Sequence, residues 1–223
     1  MHNPNDHTTL WPKWIGEDVG CNVWVAGYGA ALSGWTNAAM HLADLGEALF
    51  AALQAEQDLK GHRIVLVGHS LGGLVIKSGM TQASALGVPE RLALLQRISG
   101  IVFVGTPHQG ASLATVADSL RGLLRTNAQV INMVNDDAWL KLLNGQFRAL
   151  HASYNFDVRV FFESKGVLIG RKILGISFGR RLLIVDRNSS DPGLTGVAVT
   201  AIDGDHIEIA KPKSRGFHPQ GTG

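Results

Sequence analysis

Short apolar runs alternate along the chain with longer stretches whose apolar residues recur every three or four positions. Val23-Trp24-Val25-Ala26 reads as a buried strand running into Gly27 and Gly29. Ala38, Leu42, Leu45, Leu49 and Leu53 then form the stripe of an amphipathic helix. Ile64-Val65-Leu66-Val67 is short and β-branched, which predicts a parallel strand buried on both faces. A helical pattern follows over 71–86 and stops at Gly87 and Pro89. Ile101-Val102-Phe103-Val104 is the next strand, closed by Gly105-Thr106-Pro107. Two helical patterns come after it, the second starting at Asp136 or Asp137 and burying Trp139, Leu140, Leu143, Phe147 and Leu150. Residues 158–162, 182–185 and 197–202 read as further strands, and the glycine-punctuated stretch 166–179 as a surface excursion. Alternation of this kind predicts an α/β fold, a mostly parallel sheet with helices on both faces.

Composition narrows the picture. The chain has 223 residues, which suits a single domain over 1–223, with a core over 11–215 and flexible flanks at 1–10 and 216–223. Hydrophobic residues make up 45% and charged residues 17%, enough for a packed core and unlike a disordered chain. A net charge of +2 is too slight to point to nucleic acid. Cys21 is the sole cysteine, so no intrachain disulfide forms. The first residues lack the basic start and apolar run of a secretory signal. Residues 19–43 carry no Asp, Glu, Lys or Arg, but Asn22, Gly27, Gly29, Ser33, Gly34, Thr36 and Asn37 break them up. A membrane span needs roughly 20 predominantly apolar residues. The expectation is a soluble, cytoplasmic protein without a transmembrane segment or a nucleic-acid partner.

The candidate chemistry starts at Gly68-His69-Ser70-Leu71-Gly72, a G-x-S-x-G pattern. Gly175-Ile176-Ser177-Phe178-Gly179 matches too, so the pattern alone decides nothing. Context separates the two. Ser70 sits between a buried strand and a small-residue helix, the strand–sharp turn–helix setting that lifts a strained serine hydroxyl above a sheet. Gly68 and Gly72 let that turn pass close to neighbouring backbone, and the helix aims its first N–H groups at the reacting oxygen. Ser177 is flanked by Arg171, Lys172, Arg180 and Arg181 and reads as a loop serine.

A serine nucleophile needs a base, which this arrangement places late in the chain, after the acid. Of the 9 histidines, His206 follows a strand-like run and a turn. His218 lies in a Gly/Pro-rich tail, His69 is adjacent to the nucleophile and diverges from it, and His108 comes too early. The acid belongs at the carboxyl end of a later strand. Asp157 is at the entering end of its strand, while Glu163 and Asp186 each end one. Glu163 closes the second strand after the nucleophile and is preferred, with Asp186 as the alternative. Gly105 to Gly110 lacks the Lys-Ser/Thr of a phosphate loop, and no spacing suits a metal. The basic residues between Arg159 and Arg187 read as a solvated face or as a contact for anionic head groups.

Four segments then occur in a telling order. They are Val67-Gly68-His69-Ser70-Leu71-Gly72-Gly73-Leu74-Val75-Ile76-Lys77, Val102-Phe103-Val104-Gly105-Thr106-Pro107-His108-Gln109-Gly110, Phe161-Phe162-Glu163, and Asp205-His206-Ile207-Glu208-Ile209-Ala210-Lys211-Pro212. Over 11–215 the chain resembles the α/β-hydrolase branch of the serine active site-containing proteins, related to GPI inositol-deacylases and lipase-like serine esterases. The resemblance implies Ser70 as nucleophile, Glu163 as acid, His206 as base and the Leu71 N–H as an oxyanion-hole donor. It implies no cofactor and a small-molecule ester or lipid substrate, with peripheral membrane contact. The same triad also serves thioesterases, amidases and acyltransferases, and a rival from another class is a catalytically weak interaction domain of a larger signalling protein.

One departure stands out. Members of that branch open with a strand ending in a His-Gly-Leu-Gly-like loop that supplies a second oxyanion donor, and this chain has no His-Gly pair. The expectation is a sequence that begins downstream of that loop, a weak esterase, and self-association through an unpaired sheet edge. Another N–H near Gly27-Tyr28-Gly29 is the alternative donor.

Overall fold

The computed structural model describes residues 11–26, 42–109, 137–173 and 176–212. In chain order the elements are α1 (Trp11–Val19), α2 (Leu42–Ala55), β1 (Ile64–His69), α3 (Leu71–Leu86), α4 (Pro89–Arg97) and β2 (Ile98–Val104). They continue with α5 (Asp137–Tyr154), β3 (Asp157–Glu163), β4 (Val167–Ile173), β5 (Ile176–Leu182) and β6 (Val199–Ile202). β1, β2, β3 and β6 form one sheet in that order, every pair parallel, and β4 and β5 form a separate antiparallel hairpin. His69 pairs with Val104, Val104 with Phe161, and Glu163 with Ile202, so the carboxyl ends of all four strands line one rim.

Local chemistry accounts for the boundaries. α3 ends where Gly87 turns left-handed at φ 64° and donates its N–H to the Ser84 carbonyl. Pro89, read from sequence only as a stop, opens α4, its fixed φ suiting a first helical turn. Phe50, Met80, Phe103, Phe147 and Val160 join the sheet to α2, α3 and α5 in the main core. No helix among the described residues is long and apolar enough to cross a membrane.

Several expectations require correction. Residues 23–26 form no strand: Val23, Trp24 and Val25 are exposed, and the four described strands of the sheet pair among themselves. An apolar run becomes a strand only where a neighbour takes up its N–H and C=O groups. β1 is not buried on both faces, since Val65 and Val67 are 60% and 44% exposed. Residues 182–185 are not a strand either: β5 ends at Leu182, and the next residues run as irregular backbone with Ile184 and Val185 buried. The 166–179 stretch becomes the β4–β5 hairpin, which puts Ser177 on a strand rather than in a loop. The helical pattern before 136, the flanks at 1–10 and 216–223, and Gly27-Tyr28-Gly29 lie outside the described residues.

Two packing features set the position of α3. A Cβ built on Gly79 would stand 2.6 Å from the Gly46 carbonyl oxygen of α2, so the two helices cross at a distance only glycine permits. Lys77 is fully buried; its Nζ donates to Asn144 Oδ1 of α5 at 2.6 Å and lies over the Phe147 ring, 4.7 Å from its centre. Asn144 Nδ2 in turn donates to the Pro192 carbonyl at 3.2 Å. Burial, and then the nearby Arg148 charge, push the Lys77 ammonium well below its ordinary value of 10.5.

Gly79→Ala is expected to destabilise the fold by about 1–3 kcal/mol in chemical denaturation, the usual cost of overpacking. Wild-type stability would mean that α2 and α3 separate freely. Lys77 yields a pH prediction. Folded Lys77 loses its proton at lower pH than unfolded Lys77. Between those two values the unfolded chain holds one proton more, and stability rises with pH by up to about 1.4 kcal/mol per unit. As pH rises toward the ordinary lysine value, the unfolding free energy should therefore climb more steeply for wild type than for Lys77→Met. Equal slopes would contradict the depressed value.

Candidate active site

Ser70 stands between β1 and α3 with φ 54° and ψ −128°, a left-handed conformation unusual for a non-glycine residue. Such backbone costs about 1–3 kcal/mol and persists only where its surroundings hold it. Here the Ser70 N–H donates to the Val104 carbonyl at 2.9 Å, and the Ser70 carbonyl accepts from the Gly73 N–H at 3.1 Å. A Cβ on Gly68 would lie 2.7 Å from the Gly73 Cα, so the turn closes only because residue 68 has no side chain. The result points the Ser70 hydroxyl across the rim of the sheet at the start of α3.

Glu163 ends β3 on the same rim with no exposed surface. His206 comes just after β6, in the segment Gly204-Asp205-His206-Ile207-Glu208. That segment folds as a reciprocal cap. Asp205 Oδ1 accepts from the N–H groups of Ile207 and Glu208, both at 3.0 Å, and Glu208 Oε2 accepts from the Asp205 N–H at 3.2 Å. The Trp11 indole N–H donates to the Ala210 carbonyl at 3.0 Å, fastening α1 to the end of this turn.

The three side chains meet. Ser70 Oγ is 2.9 Å from His206 Nε2, and His206 Nδ1 is 3.2 Å from Glu163 Oε2. Glu163 Oε1 accepts from the Val185 N–H at 2.6 Å. With Glu163 ionised, Nδ1 carries the imidazole proton and Nε2 is left free to accept from the Ser70 hydroxyl. Ser70 is 5% exposed and His206 is fully buried, so little water competes for these bonds. Leu71 is the first residue of α3, directly after Ser70, and packs against Val167, Ile184 and Val185.

The other candidates go elsewhere. Asp186 is exposed and shapes its own turn, its Oδ1 accepting from the Ser189 N–H at 2.7 Å and its carbonyl from Ser190. It loses the strand-end position expected of it because no strand spans 182–185. His108 is fully buried, edge-on to Phe103 at 4.5 Å, with its backbone N–H on the Ser189 carbonyl. Asp157 opens β3 at the far end of the sheet, Ser177 sits in the hairpin and His218 lies outside the described residues.

Two contributors carry little sequence signal. The Val185 N–H is a backbone group, which residue identity does not reveal. Gly105 has φ 55°, and a Cβ there would stand 3.1 Å from the His206 ring. It reads from sequence merely as the end of a strand. The Asp205–Glu208 spacing, by contrast, is a recognisable capping signature.

The pattern that defines the alpha/beta hydrolase family matches residues 15–186, and the chain belongs to that family. Among curated proteins it is similar to Protein SERAC1 of Bos taurus, 30% identical over 215 residues covering 94% of this chain and 31% of that protein. Protein SERAC1 of Mus musculus is 29% identical, with the same coverage of each. The chain thus spans about a third of the length of the curated relatives it matches. Among solved structures it resembles the mature form of the Bacillus licheniformis lipase BlEst2, with a TM-score of 0.52 and 20% identity over 77% of this chain and 69% of that one. That likeness is one of fold.

Tested as a triad candidate with a p-nitrophenyl ester, Glu163→Gln is expected to lower turnover by about 10⁴-fold, the usual effect of removing a carboxylate that fixes a catalytic imidazole. Asp186→Asn should leave the rate close to wild type. A larger loss from Asp186→Asn than from Glu163→Gln would transfer the acid role.

Proposed function

We propose that this domain is a serine carboxylic ester hydrolase working through an acyl-enzyme. The observation that carries the reading is the continuous chain from Ser70 Oγ through His206 to Glu163, with Ser70 held left-handed at the end of its strand. Ser70 Oγ attacks the ester carbonyl carbon while His206 Nε2 takes the hydroxyl proton. Glu163 stabilises the imidazolium that forms. The Leu71 N–H, at the positive end of α3, faces the developing oxyanion. Collapse of the tetrahedral intermediate breaks the bond to the alcohol, which leaves with the proton from His206. Water then attacks the acyl-enzyme with His206 again acting as base, releasing the carboxylic acid and restoring Ser70. The apolar group formed by Leu71, Val167, Ile184 and Val185 beside the nucleophile favours an apolar acyl chain, lipid esters included.

A fluorophosphonate probe and a series of p-nitrophenyl esters of increasing chain length test this reading. Ser70→Ala is expected to abolish labelling and to reduce hydrolysis by about 10⁴-fold or more, whereas Ser177→Ala leaves both intact. Labelling that survives Ser70→Ala, or disappears with Ser177→Ala, would refute it.

A further inference from the structure

His69 precedes the nucleophile, and its side chain diverges from that of Ser70, which removes it as a base. Its ring nevertheless reaches the segment that carries His206. His69 Nε2 lies 2.8 Å from the His206 carbonyl oxygen, and the two imidazoles stand 4.9 Å apart, centre to centre, inclined at 42°. The backbone on either side of His206 has its own anchors. The N–H groups of Ser164 and Lys165 bond the carbonyls of Ile202 and Gly204, both at 3.0 Å, and the Asp205–Glu208 cap follows. These bonds fix where the turn enters and leaves. The His69 contact falls on the peptide of His206 itself.

Its location makes it a ruler. His69 is covalently joined to Ser70 and held in the sheet by its pairing with Val104. A bond from its ring to the His206 carbonyl therefore sets the distance between the strand bearing the nucleophile and the loop bearing the base. The ring has the required protonation. Burial, followed by the charge of neighbouring His206, lowers His69 to about 4, while the bond to the His206 carbonyl and then Glu163 oppose that shift and Lys211 adds to it. At neutral pH His69 is uncharged, with its one N–H on the nitrogen facing the carbonyl oxygen. An uncharged ring also spares the imidazolium formed on His206 from a second cation beside it.

We propose that His69 is a positioning residue for His206: the Nε2–H it donates to the His206 carbonyl holds that backbone where the imidazole meets both Ser70 and Glu163. The role rests on the serine hydrolase reading above. It requires a hydrogen-bond donor at this position, which separates it from simple packing.

The test compares His69→Gln, which keeps an N–H donor at similar reach, with His69→Met, of similar shape but without a donor. Both are assayed with a p-nitrophenyl ester for kcat and KM, alongside melting temperature and fluorophosphonate labelling of wild type. His69→Gln should stay within about threefold of wild type, while His69→Met loses about 10- to 100-fold in kcat at unchanged KM, the scale of a misplaced catalytic group. Equal rates for the two variants would overturn the proposal. So would a His69→Met protein that fails to fold, since the contact would then be a requirement of the fold. Wild type that is not labelled at all would remove the hydrolase reading, and this inference with it; a labelled wild type with matching variants removes this inference alone.

Discussion

A carboxylate buried without any exposed surface is costly unless donors meet it, and Glu163 is such a group. Two donors do. His206 Nδ1–H approaches one oxygen at 3.2 Å, and the Val185 N–H approaches the other at 2.6 Å. Removing either leaves a buried charge short of a partner, so the position of the imidazole and the course of residues 183–185 are determined by the same oxygen pair. The irregular backbone over 183–185 follows from this: the Val185 N–H is committed to Glu163 rather than to a strand neighbour.

The parallel sheet converts that local requirement into a site. Register aligns the ends of β1, β3 and β6, so residues 70, 163 and 206 arrive at one rim from distant parts of the chain. A circuit of contacts then closes through the core. The helix that begins at Ser70 carries Lys77; Lys77 bonds Asn144, Asn144 bonds the Pro192 carbonyl, and the stretch 183–192 leads back to Val185 and Glu163. His206 completes the circuit to Ser70. Lys77 therefore ties the helix that begins at Ser70 to the segment that meets Glu163, a use for an otherwise expensive buried amine.

What the sequence revealed divides along physical lines. That Ser70, Glu163 and His206 come together was legible because strand–turn–helix patterning, strand-end position and chain order all constrain where a proposed nucleophile, acid and base can sit. The helices around Leu49 and Leu143 were legible because a single buried stripe has a period; the one around Leu74 is buried over 73–81 without a break and was legible from its Gly87 and Pro89 stop. Strands were less so. The apolar runs at 23–26 and 182–185 look like strands, yet pairing depends on a neighbour that the run itself does not encode. The hairpin over 167–182 hid behind glycines and charges that read as loop. Val185 and Gly105 escaped because they act through a backbone N–H and through a missing side chain. His69 escaped because adjacency to Ser70 excluded it as a base and said nothing of a bond to the peptide of His206.

In the proposed reaction His206 activates Ser70. Mapping the fluorophosphonate adduct by peptide mass spectrometry, in wild type and in His206→Ala, tests this most directly. A single adduct is expected on the peptide containing Ser70, its formation slowed in His206→Ala by about 10³-fold or more. An adduct on another serine, or a labelling rate in His206→Ala equal to that of wild type, would contradict it.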